Sequence, residues 1–365
     1  MIHANHAGTA WPRPPGVAEA MRAALAATPV GQAALHQRAH AAVAAWFGLP
    51  APERLLFASS CTAALGVLLA DLPWQRGDVV ITSQLEHHAL VRPVQALVQH
   101  RGVRHVAAPW RPGVPLDLDA VAAALAAGRV RLVAVTGASN VTGERLPLAE
   151  LAALAHAHGA LLLLDAAQVA GVVPLDLEAL GVDLLAFAGH KGLHGPPGVG
   201  GLWAARHVTF ACPGAVCELG GNGGAPRLAP YPGHCDLGSV NLPGVVGLAA
   251  ALAWLDALPT ADRERPVRLA ARLRAALRRR PHVRVLGGDG PHTGATGLLL
   301  RAGVPADTEA HFAARGIVVR AGSHCAPMAL QAVGAPGGCL RIGFGPTNRD
   351  EDVDAVLAAL DALPD

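Results

Sequence analysis

Short apolar segments alternate with longer stretches rich in Ala and Leu in the part of the chain that precedes Asn241. The short segments predict strands, and the longer stretches, such as residues 148–157, place apolar side chains at helical spacing. The run from Ala160 to Leu164 has no polar alternation, which is typical of a strand buried on both faces. Strands that alternate with helices predict an α/β fold with a mostly parallel, covered sheet. The predicted strands are residues 55–58, 79–82, 132–136, 161–165, 184–188 and 200–204.

The pattern changes after Asn241. A long helical segment at residues 243–258 is followed by an Arg-rich helical segment at residues 263–280. The last predicted helix, residues 350–363, begins with acidic side chains that complement the positive end of a helix dipole. This part of the chain therefore predicts a smaller α+β domain. Its predicted short strands lie around residues 296–301, 317–320 and 339–342.

Composition and charge narrow the class of protein. The chain has 365 residues, 52% of them hydrophobic and 15% charged, which suits a large folded domain with a smaller one. A net charge of +2 gives no reason to expect nucleic acid or an anionic membrane. No run of about 20 apolar residues predicts a membrane helix, and the amino terminus lacks a signal-peptide pattern. The 6 cysteines form no CxxC pair, so we expect reduced thiols and a cytoplasmic protein.

One lysine stands apart in this sequence. Lys191 is the only Lys of the chain and lies in Gly189-His-Lys-Gly-Leu193, directly after an apolar strand. Lysines are usually exposed, and a solvated Lys is the simplest interpretation of any single one. Every other basic side chain in this sequence is Arg or His. The single Lys therefore indicates chemistry that requires an amine at this position. A buried amine of lowered pKa can form a Schiff base with an aldehyde.

An acidic residue ends the most apolar predicted strand. Asp165 is followed by Ala166, Ala167 and Gln168, and the end of a parallel strand is where open α/β sheets bind ligands. A carboxylate at this edge could pair with a protonated pyridine nitrogen. Read alone, Asp165 could equally be the N-cap of a following helix.

These motifs together resemble the class V aminotransferase family, and especially its cysteine desulfurase branch. Asp-Ala-Ala-Gln and Gly-His-Lys-Gly-Leu are the main ones, and further motifs follow in family order over nearly the whole chain. The resemblance implies a fold-type I transferase with a seven-stranded, mostly parallel sheet and pyridoxal 5'-phosphate as cofactor. It implies a large cofactor-binding domain at residues 12–245, and a small domain from residues 1–11 and 246–365. The further motifs begin at Trp11, Glu86, Ala138, Leu184 and Arg320.

The resemblance also implies roles for individual residues. Lys191 is expected to hold the cofactor and move protons, and Asp165 to pair with the pyridine nitrogen. Gln168 and Asn140 are expected to contact the ring hydroxyl, and Asn140 also the substrate. His87 is expected to stack on the ring and take part in catalysis.

Cofactor phosphate contacts are expected at a second segment, Ser59-Ser-Cys-Thr-Ala63, between a predicted strand and a predicted helix. A helix amino terminus offers free N–H groups to a phosphate. We expect the Cys61 amide and Thr62 to contribute, together with His190. Ser239 lies where the family has a Thr that reaches the partner subunit's phosphate, which implies a homodimer with shared sites.

Cys325 determines the expected reaction. A single Cys is most often a small buried hydrophobe, and this interpretation holds for the other cysteines. Cys325 instead lies in a predicted loop, and there it matches the family pattern that presents a reactive thiol. Arg341 looks like the clamp for the substrate carboxylate. The segment from Arg320 to Cys325 is short, as in the group of desulfurases with a compact cysteine loop, so a sulfur-acceptor protein or small thiol is expected to come to the site.

Several positions depart from the family pattern. Ala188 stands where a hydroxyl residue is usual, and Ser60 and Ala63 replace Gly and Glu in the phosphate turn. Asn5-His6 replaces Asp-Asn, and residues 28–42 look shortened. These departures concern cofactor affinity and substrate choice rather than Lys191, Asp165 or Cys325.

The expected reaction is the removal of sulfur from L-cysteine. L-cysteine displaces Lys191 from the cofactor, Lys191 takes the α-proton, and the Cys325 thiolate attacks the substrate sulfur to form a persulfide and release L-alanine. Three alternatives keep the same cofactor: a selenocysteine lyase, a carbon–sulfur β-lyase and an aminotransferase. A fourth is a degenerate fold that only binds partners. No Cys/His spacing predicts a closed zinc site, so we expect no metal.

Overall fold

The computed structural model describes residues 1–211, 231–232, 240–300 and 307–363. Its strands and helices follow one another in the alternating order that the sequence predicts. The strands are β1 (Ile2–His3), β2 (Leu55–Ala58), β3 (Val79–Ser83), β4 (Arg104–Ala108), β5 (Val130–Thr136), β6 (Leu161–Asp165), β7 (Leu184–Ala188), β8 (Gly200–Ala204), β9 (Val283–Val285), β10 (Ala295–Leu300), β11 (Ile317–Val318), β12 (Arg320–Gly322) and β13 (Cys339–Gly343). The helices are α1 (Val17–Ala26), α2 (Pro29–Trp46), α3 (Cys61–Asp71), α4 (His88–Arg101), α5 (Leu118–Ala126), α6 (Leu148–Ala157), α7 (Leu242–Ala257), α8 (Thr260–Leu277), α9 (Thr308–Ala313), α10 (Pro327–Ala332) and α11 (Asp350–Asp361).

Within these described ranges, the large sheet has seven strands in the order β2-β8-β7-β6-β5-β3-β4. Strands β4, β3, β5, β6 and β7 run parallel, and β8 is antiparallel to both of its neighbours. Strand β2 therefore has the same direction as β7. The carboxyl ends of all strands except β8 consequently lie along one edge of the sheet, where open α/β folds bind ligands. The predicted α/β fold with a mostly parallel seven-stranded sheet is confirmed.

Both faces of the large sheet are covered. Successive residues of the central strands enter two different hydrophobic clusters, with Val133 and Leu164 on one face and Leu132 and Leu163 on the other. All four side chains are essentially inaccessible to solvent. This double burial explains why β6 is a run of leucines without polar alternation.

The smaller carboxyl-terminal domain is built on a second, antiparallel sheet with the order β12-β13-β10-β9. A separate hydrophobic cluster packs beneath it, and it includes Leu269 and Leu273 of α8 and Val353 and Val356 of α11. Strand β1 pairs with β11, so the amino terminus lies against carboxyl-terminal residues. The predicted boundaries at residues 11–12 and 245–246 remain a prediction.

The structure differs from the predicted elements at strands β1, β4 and β9, which were not predicted, and at the strand predicted for residues 317–320. Strand β4 was not among the strands predicted from apolar patterning, because it lies at the sheet edge and begins with the polar pair Arg104 and His105. The single strand predicted at residues 317–320 is two strands, β11 and β12, which belong to different sheets.

In the part of the chain that the structure describes, no individual helix is both long and apolar enough to cross a bilayer. Helices α7 and α8 meet that criterion only when they are taken together, and a bend of 91° separates them.

Candidate active site

The predicted site residues converge at the carboxyl edge of the large sheet. His87 follows β3, Asn140 follows β5, Asp165 ends β6 and Lys191 follows β7. Because these four strands are parallel neighbours, residues far apart in sequence reach the same edge. The amino end of α3, which follows β2, opens onto the same edge.

Lys191 is half-buried and lies among other charged groups. Burial lowers the pKa of its amine, the nearby Asp165 carboxylate raises it, and the Arg341 charge lowers it; the net direction is downward. A lysine of lowered pKa carries a larger fraction of neutral amine, which is the form that attacks an aldehyde or accepts a proton.

Asp165 is fixed by hydrogen bonds at the end of β6. Its Oδ1 accepts from the Ala167 backbone N–H at 2.9 Å and from the Cys61 thiol at 3.3 Å. The carboxylate is 3% exposed. The alternative interpretation of Asp165 as an N-cap is wrong, because no helix lies between β6 and β7 in the described chain. The bond to Ala167 is a local turn contact. Gln168, which is also buried, donates from Nε2 to the Ala7 carbonyl at 3.0 Å.

His87 is the N-cap of α4, where its Nδ1 accepts from the Ala89 N–H at 3.0 Å. An Nδ1 that accepts leaves the proton of the neutral ring on Nε2. Burial and the nearby Lys191 charge lower the pKa of His87 to about 4. The ring is therefore neutral at physiological pH.

The expected phosphate turn is a capped helix start. The Ser60 hydroxyl accepts from the Ala63 N–H at 3.1 Å, and α3 begins at Cys61. Thr62 is exposed beside it. A Cβ on Gly200 would lie 2.5 Å from the Phe187 carbonyl oxygen and 2.9 Å from the Ser60 carbonyl carbon, so only glycine lets β8 approach this turn.

His190 links the lysine turn to the amino-terminal segment. Its ring Nδ1 and the Thr9 hydroxyl lie 3.1 Å apart, and its carbonyl accepts from the Ala10 N–H and the Arg13 guanidinium. Burial and the Lys191 charge lower the pKa of His190 to about 4. Sequence reasoning did not identify Thr9 or Arg13, although Arg13 lies inside the Trp-Pro-Arg-Pro-Pro motif.

Arg341 lies on β13 and is 5% exposed. Its guanidinium donates to the Asn140 carbonyl at 3.0 Å and to the Asn5 side-chain oxygen at 3.2 Å. Burial lowers its pKa to about 10, so it stays charged at neutral pH. Within the described residues, Arg341 Nε and Asn140 Oδ1 are buried without a hydrogen-bond partner. These two atoms are available to a bound ligand.

Cys325 lies in a short loop that is held at three points. The His88 N–H donates to the Cys325 carbonyl at 2.8 Å, and the Asn140 side chain donates to the His324 carbonyl at 2.8 Å. The His324 ring is bonded to the Cys339 carbonyl at 2.9 Å. His324 and Cys325 both have left-handed backbone, with φ of 50° and 54°. The Cys325 residue is exposed.

Glu86 is a buried acid beneath the site to which sequence reasoning gave no role. It accepts from the Thr136 N–H at 2.8 Å and from the Ser83 hydroxyl. Burial raises its pKa to about 8, and the Asp165 charge acts in the same direction. The position of Glu86 after a buried strand was the available signal. Glu86 connects the ends of β3 and β5 beside His87.

Some predicted residues cannot be placed. Ser239, and with it the expected contact to a partner subunit, lies outside the described residues, as do Cys212, Cys217 and Cys235. Ala188 is buried at the end of β7 and offers no hydroxyl, as its sequence position implies.

Comparison with known proteins agrees with this geometry. The family model for aminotransferase class-V matches residues 23–356. A protein of Pseudomonas putida named probable cysteine desulfurase is 35% identical over 333 residues, covering 87% of this chain and 80% of its own length. One of Vibrio cholerae with the same name is 31% identical over 329 residues, with the same coverage of 87% and 80%. The apo structure of a cysteine desulfurase from Thermococcus onnurineus superposes with a TM-score of 0.90 at 27% identity, covering 99% of this chain and 94% of that one.

Proposed function

We propose, from the premise that this chain belongs to the aminotransferase class-V family, that it is a pyridoxal-phosphate-dependent cysteine desulfurase. The observation that carries the proposal is the exposed Cys325, which a fixed loop holds near Lys191 and Arg341. Transamination requires no thiol at this position. Relatives at 31% and 35% identity that share most of the chain are named as desulfurases, which supports the same assignment.

The residues present fit the cofactor. The Lys191 amine would hold its aldehyde carbon, and Asp165 would face its ring nitrogen. Thr62 and the Cys61 amide, at the amino end of α3, would bind its phosphate together with His190. Asn140 Oδ1, which has no partner among the described residues, is available to the ring hydroxyl or the substrate. Gln168, whose Nε2 donates to the Ala7 carbonyl, is proposed to contact the ring hydroxyl as well. The cofactor supplies an electron sink when it is bound.

Substrate recognition is proposed for Arg341 and Asn140. The guanidinium is a fixed buried cation whose Nε has no partner within the described residues, so it suits the α-carboxylate of an amino acid. The neutral Lys191 amine accepts the α-proton of the bound substrate and later returns a proton. The Nε2–H of His87 is a neutral donor, and its ring is proposed to stack on the cofactor.

Sulfur transfer is proposed for Cys325. Its thiolate attacks the substrate sulfur, and a new sulfur–sulfur bond forms as the carbon–sulfur bond breaks. The electron pair of that bond stays with the substrate carbon, which is protonated, and L-alanine leaves. Cys325 then carries a persulfide.

The loop geometry favours an acceptor that comes to the thiol. Three hydrogen bonds fix residues 324–325, so Cys325 cannot carry its sulfur far from the sheet edge. We propose an acceptor protein or a small thiol as the next sulfur carrier. We further propose a cytoplasmic homodimer in which Ser239 reaches the partner's cofactor phosphate.

A direct product assay tests the proposal. The purified holoenzyme is incubated with L-cysteine and a reductant, and alanine and pyruvate are both measured. Alanine with sulfide supports desulfuration. Pyruvate as the main product would instead support β-elimination, in which Cys325 is dispensable.

A further inference from the structure

The thiol of Cys61 faces the acid that is proposed to hold the ring nitrogen. Cys61 is the first residue of α3, and its Sγ donates to Asp165 Oδ1 at 3.3 Å. Both residues are buried, at 6% and 3% exposure. The Ser60 hydroxyl already caps the helix at Ala63, so Cys61 is not needed as a cap.

The two oxygens of Asp165 have different surroundings. Oδ1 receives both the Ala167 N–H at 2.9 Å and the Cys61 thiol. No donor from the described part of the chain is bonded to Oδ2. Two donors on one oxygen set the rotation of the carboxylate, and they leave the other oxygen for a further donor.

The Cys61 thiol keeps its proton under ordinary conditions. Burial and the Asp165 charge raise its pKa, and the smaller opposing effect of Lys191 does not reverse the shift. A protonated thiol is a weak donor, and its bond to a carboxylate is stronger than one to a neutral acceptor.

We propose that Cys61 is a positioning residue, which orients Asp165 so that Oδ2 faces the ring nitrogen of the cofactor. The proposal rests on the proposed function, because it needs that cofactor at Asp165. It assigns the Cys61 side chain a task separate from the phosphate contact of its backbone amide. A Cys61 that only fills space would have no effect on the cofactor's electronic state.

The test uses the holoenzyme and the variants Cys61→Ala, Cys61→Ser and Cys339→Ala. The pH midpoint of the visible cofactor absorption is measured for each. Loss of a donor makes Asp165 more basic and draws the ring proton toward it. The pH midpoint of the visible cofactor absorption should therefore rise by about half a pH unit in Cys61→Ala. Its cofactor dissociation constant should increase about fivefold.

The conservative and control variants separate positioning from packing. Cys61→Ser retains a donor and should return most of the midpoint shift. Cys339, a second buried cysteine, lies on β13 and does not bond to Asp165, so Cys339→Ala should leave the midpoint unchanged. An unshifted midpoint in Cys61→Ala, or equal shifts in Cys61→Ala and Cys61→Ser, would overturn the proposal.

An infrared measurement does not depend on the folding of Cys61→Ala. In the difference spectrum between wild type and Cys61→Ser, the lost S–H stretching band should lie at the lowered frequency of a thiol bonded to a carboxylate. A band at the free-thiol frequency would reject the proposal. Neither result bears on desulfuration, which the assay of alanine and pyruvate tests separately.

Discussion

At the scale of single residues, two basic side chains share the buried site and have different tasks. Burial lowers the pKa of both Lys191 and Arg341, but Arg341 at about 10 stays charged at neutral pH. Its charge also favours the neutral form of Lys191. The site therefore holds one fixed cation for an anionic substrate group and one amine that can exchange a proton.

Replacing Arg341 tests the fixed cation. Arg341→Lys keeps a charge but loses the planar fork that meets a carboxylate with two bonds. We expect the KM for L-cysteine to rise about 10- to 100-fold, since a charge-assisted bond contributes about 1.5–3 kcal/mol. The exposed Arg320, which pairs with Glu309, provides the matched control, and Arg320→Lys should leave KM nearly unchanged. Equal effects of the two substitutions would contradict the assignment.

Individual site residues differ in how far the sequence predicts them. Asp165 was identified because it ends an apolar strand, and Lys191 because it is the only Lys and follows another such strand. Parallel strands bring these positions to one edge. The direction of the Cys61 side chain could not be predicted, because it depends on how Ser60 starts α3 beside Gly200. The contacts of Thr9 and Arg13 depend on tertiary packing of the amino terminus against His190.

At the scale of elements, the amino end of α3 connects helix stability with the proposed cofactor contact. Ser60 caps α3 as Asp117 caps α5, and each side chain accepts from the N–H three residues on. Helix α5 follows β4, the outermost strand of the sheet, whereas Lys191 follows the more central β7, so the Asp117 cap lies away from the site. The two caps can therefore be compared, although Asp117 also pairs with Arg111.

We expect Ser60→Ala and Asp117→Ala each to lower the free energy of unfolding by about 1 kcal/mol, because each loses its cap. Only Ser60→Ala should also weaken cofactor binding, since the phosphate is proposed to bind at this helix start. Chemical denaturation and cofactor titration measure the two effects. Weaker cofactor binding in Asp117→Ala as well would mean that the loss is indirect.

Apolar patterning predicted the strongly apolar elements better than those with many polar residues. Strands β2, β6, β7 and β8 and helix α6 have their predicted bounds, because their apolar patterns are strong. Strand β4 is an edge strand with mixed exposure, so its pattern is weak. The division between β11 and β12 depends on pairing with β1 and β13, which local sequence does not specify.

At the scale of the whole molecule, buried and half-buried histidines make stability depend on pH. Burial is the main cause that lowers their pKa values, to about 2 in His6 and about 4 in the others. A histidine in the unfolded chain has a pKa of 6.5, which is higher than its pKa in the folded protein. Below pH 6.5 the unfolded chain therefore binds more protons than the folded protein. The stabilisation by these histidines is thus present above pH 6.5 and is lost as pH falls toward 4. The histidines concerned are His6, His87, His190, His194, His292 and His324.

His194 is suitable for testing this dependence, because it is 2% exposed and its Nδ1 has no partner among the described residues. Its φ of 57° is a conformation that Asn tolerates. Below pH 6.5 the unfolding free energy falls with decreasing pH, and His194→Asn should reduce the slope of this fall by about 1 kcal/mol per pH unit. The exposed His282→Asn serves as control. Identical slopes in His194→Asn and wild type would show that His194 does not contribute.

The central claim is that Cys325 accepts sulfur from the substrate. After one turnover with L-cysteine and no reductant, mass spectrometry should find one additional sulfur atom on the peptide that holds Cys325 and on no other cysteine peptide. Cys325→Ser should retain the cofactor spectrum but lose nearly all alanine production, because a hydroxyl is a poor nucleophile toward sulfur. The buried Cys339→Ser should retain both. Alanine production at the wild-type rate in Cys325→Ser would contradict the account.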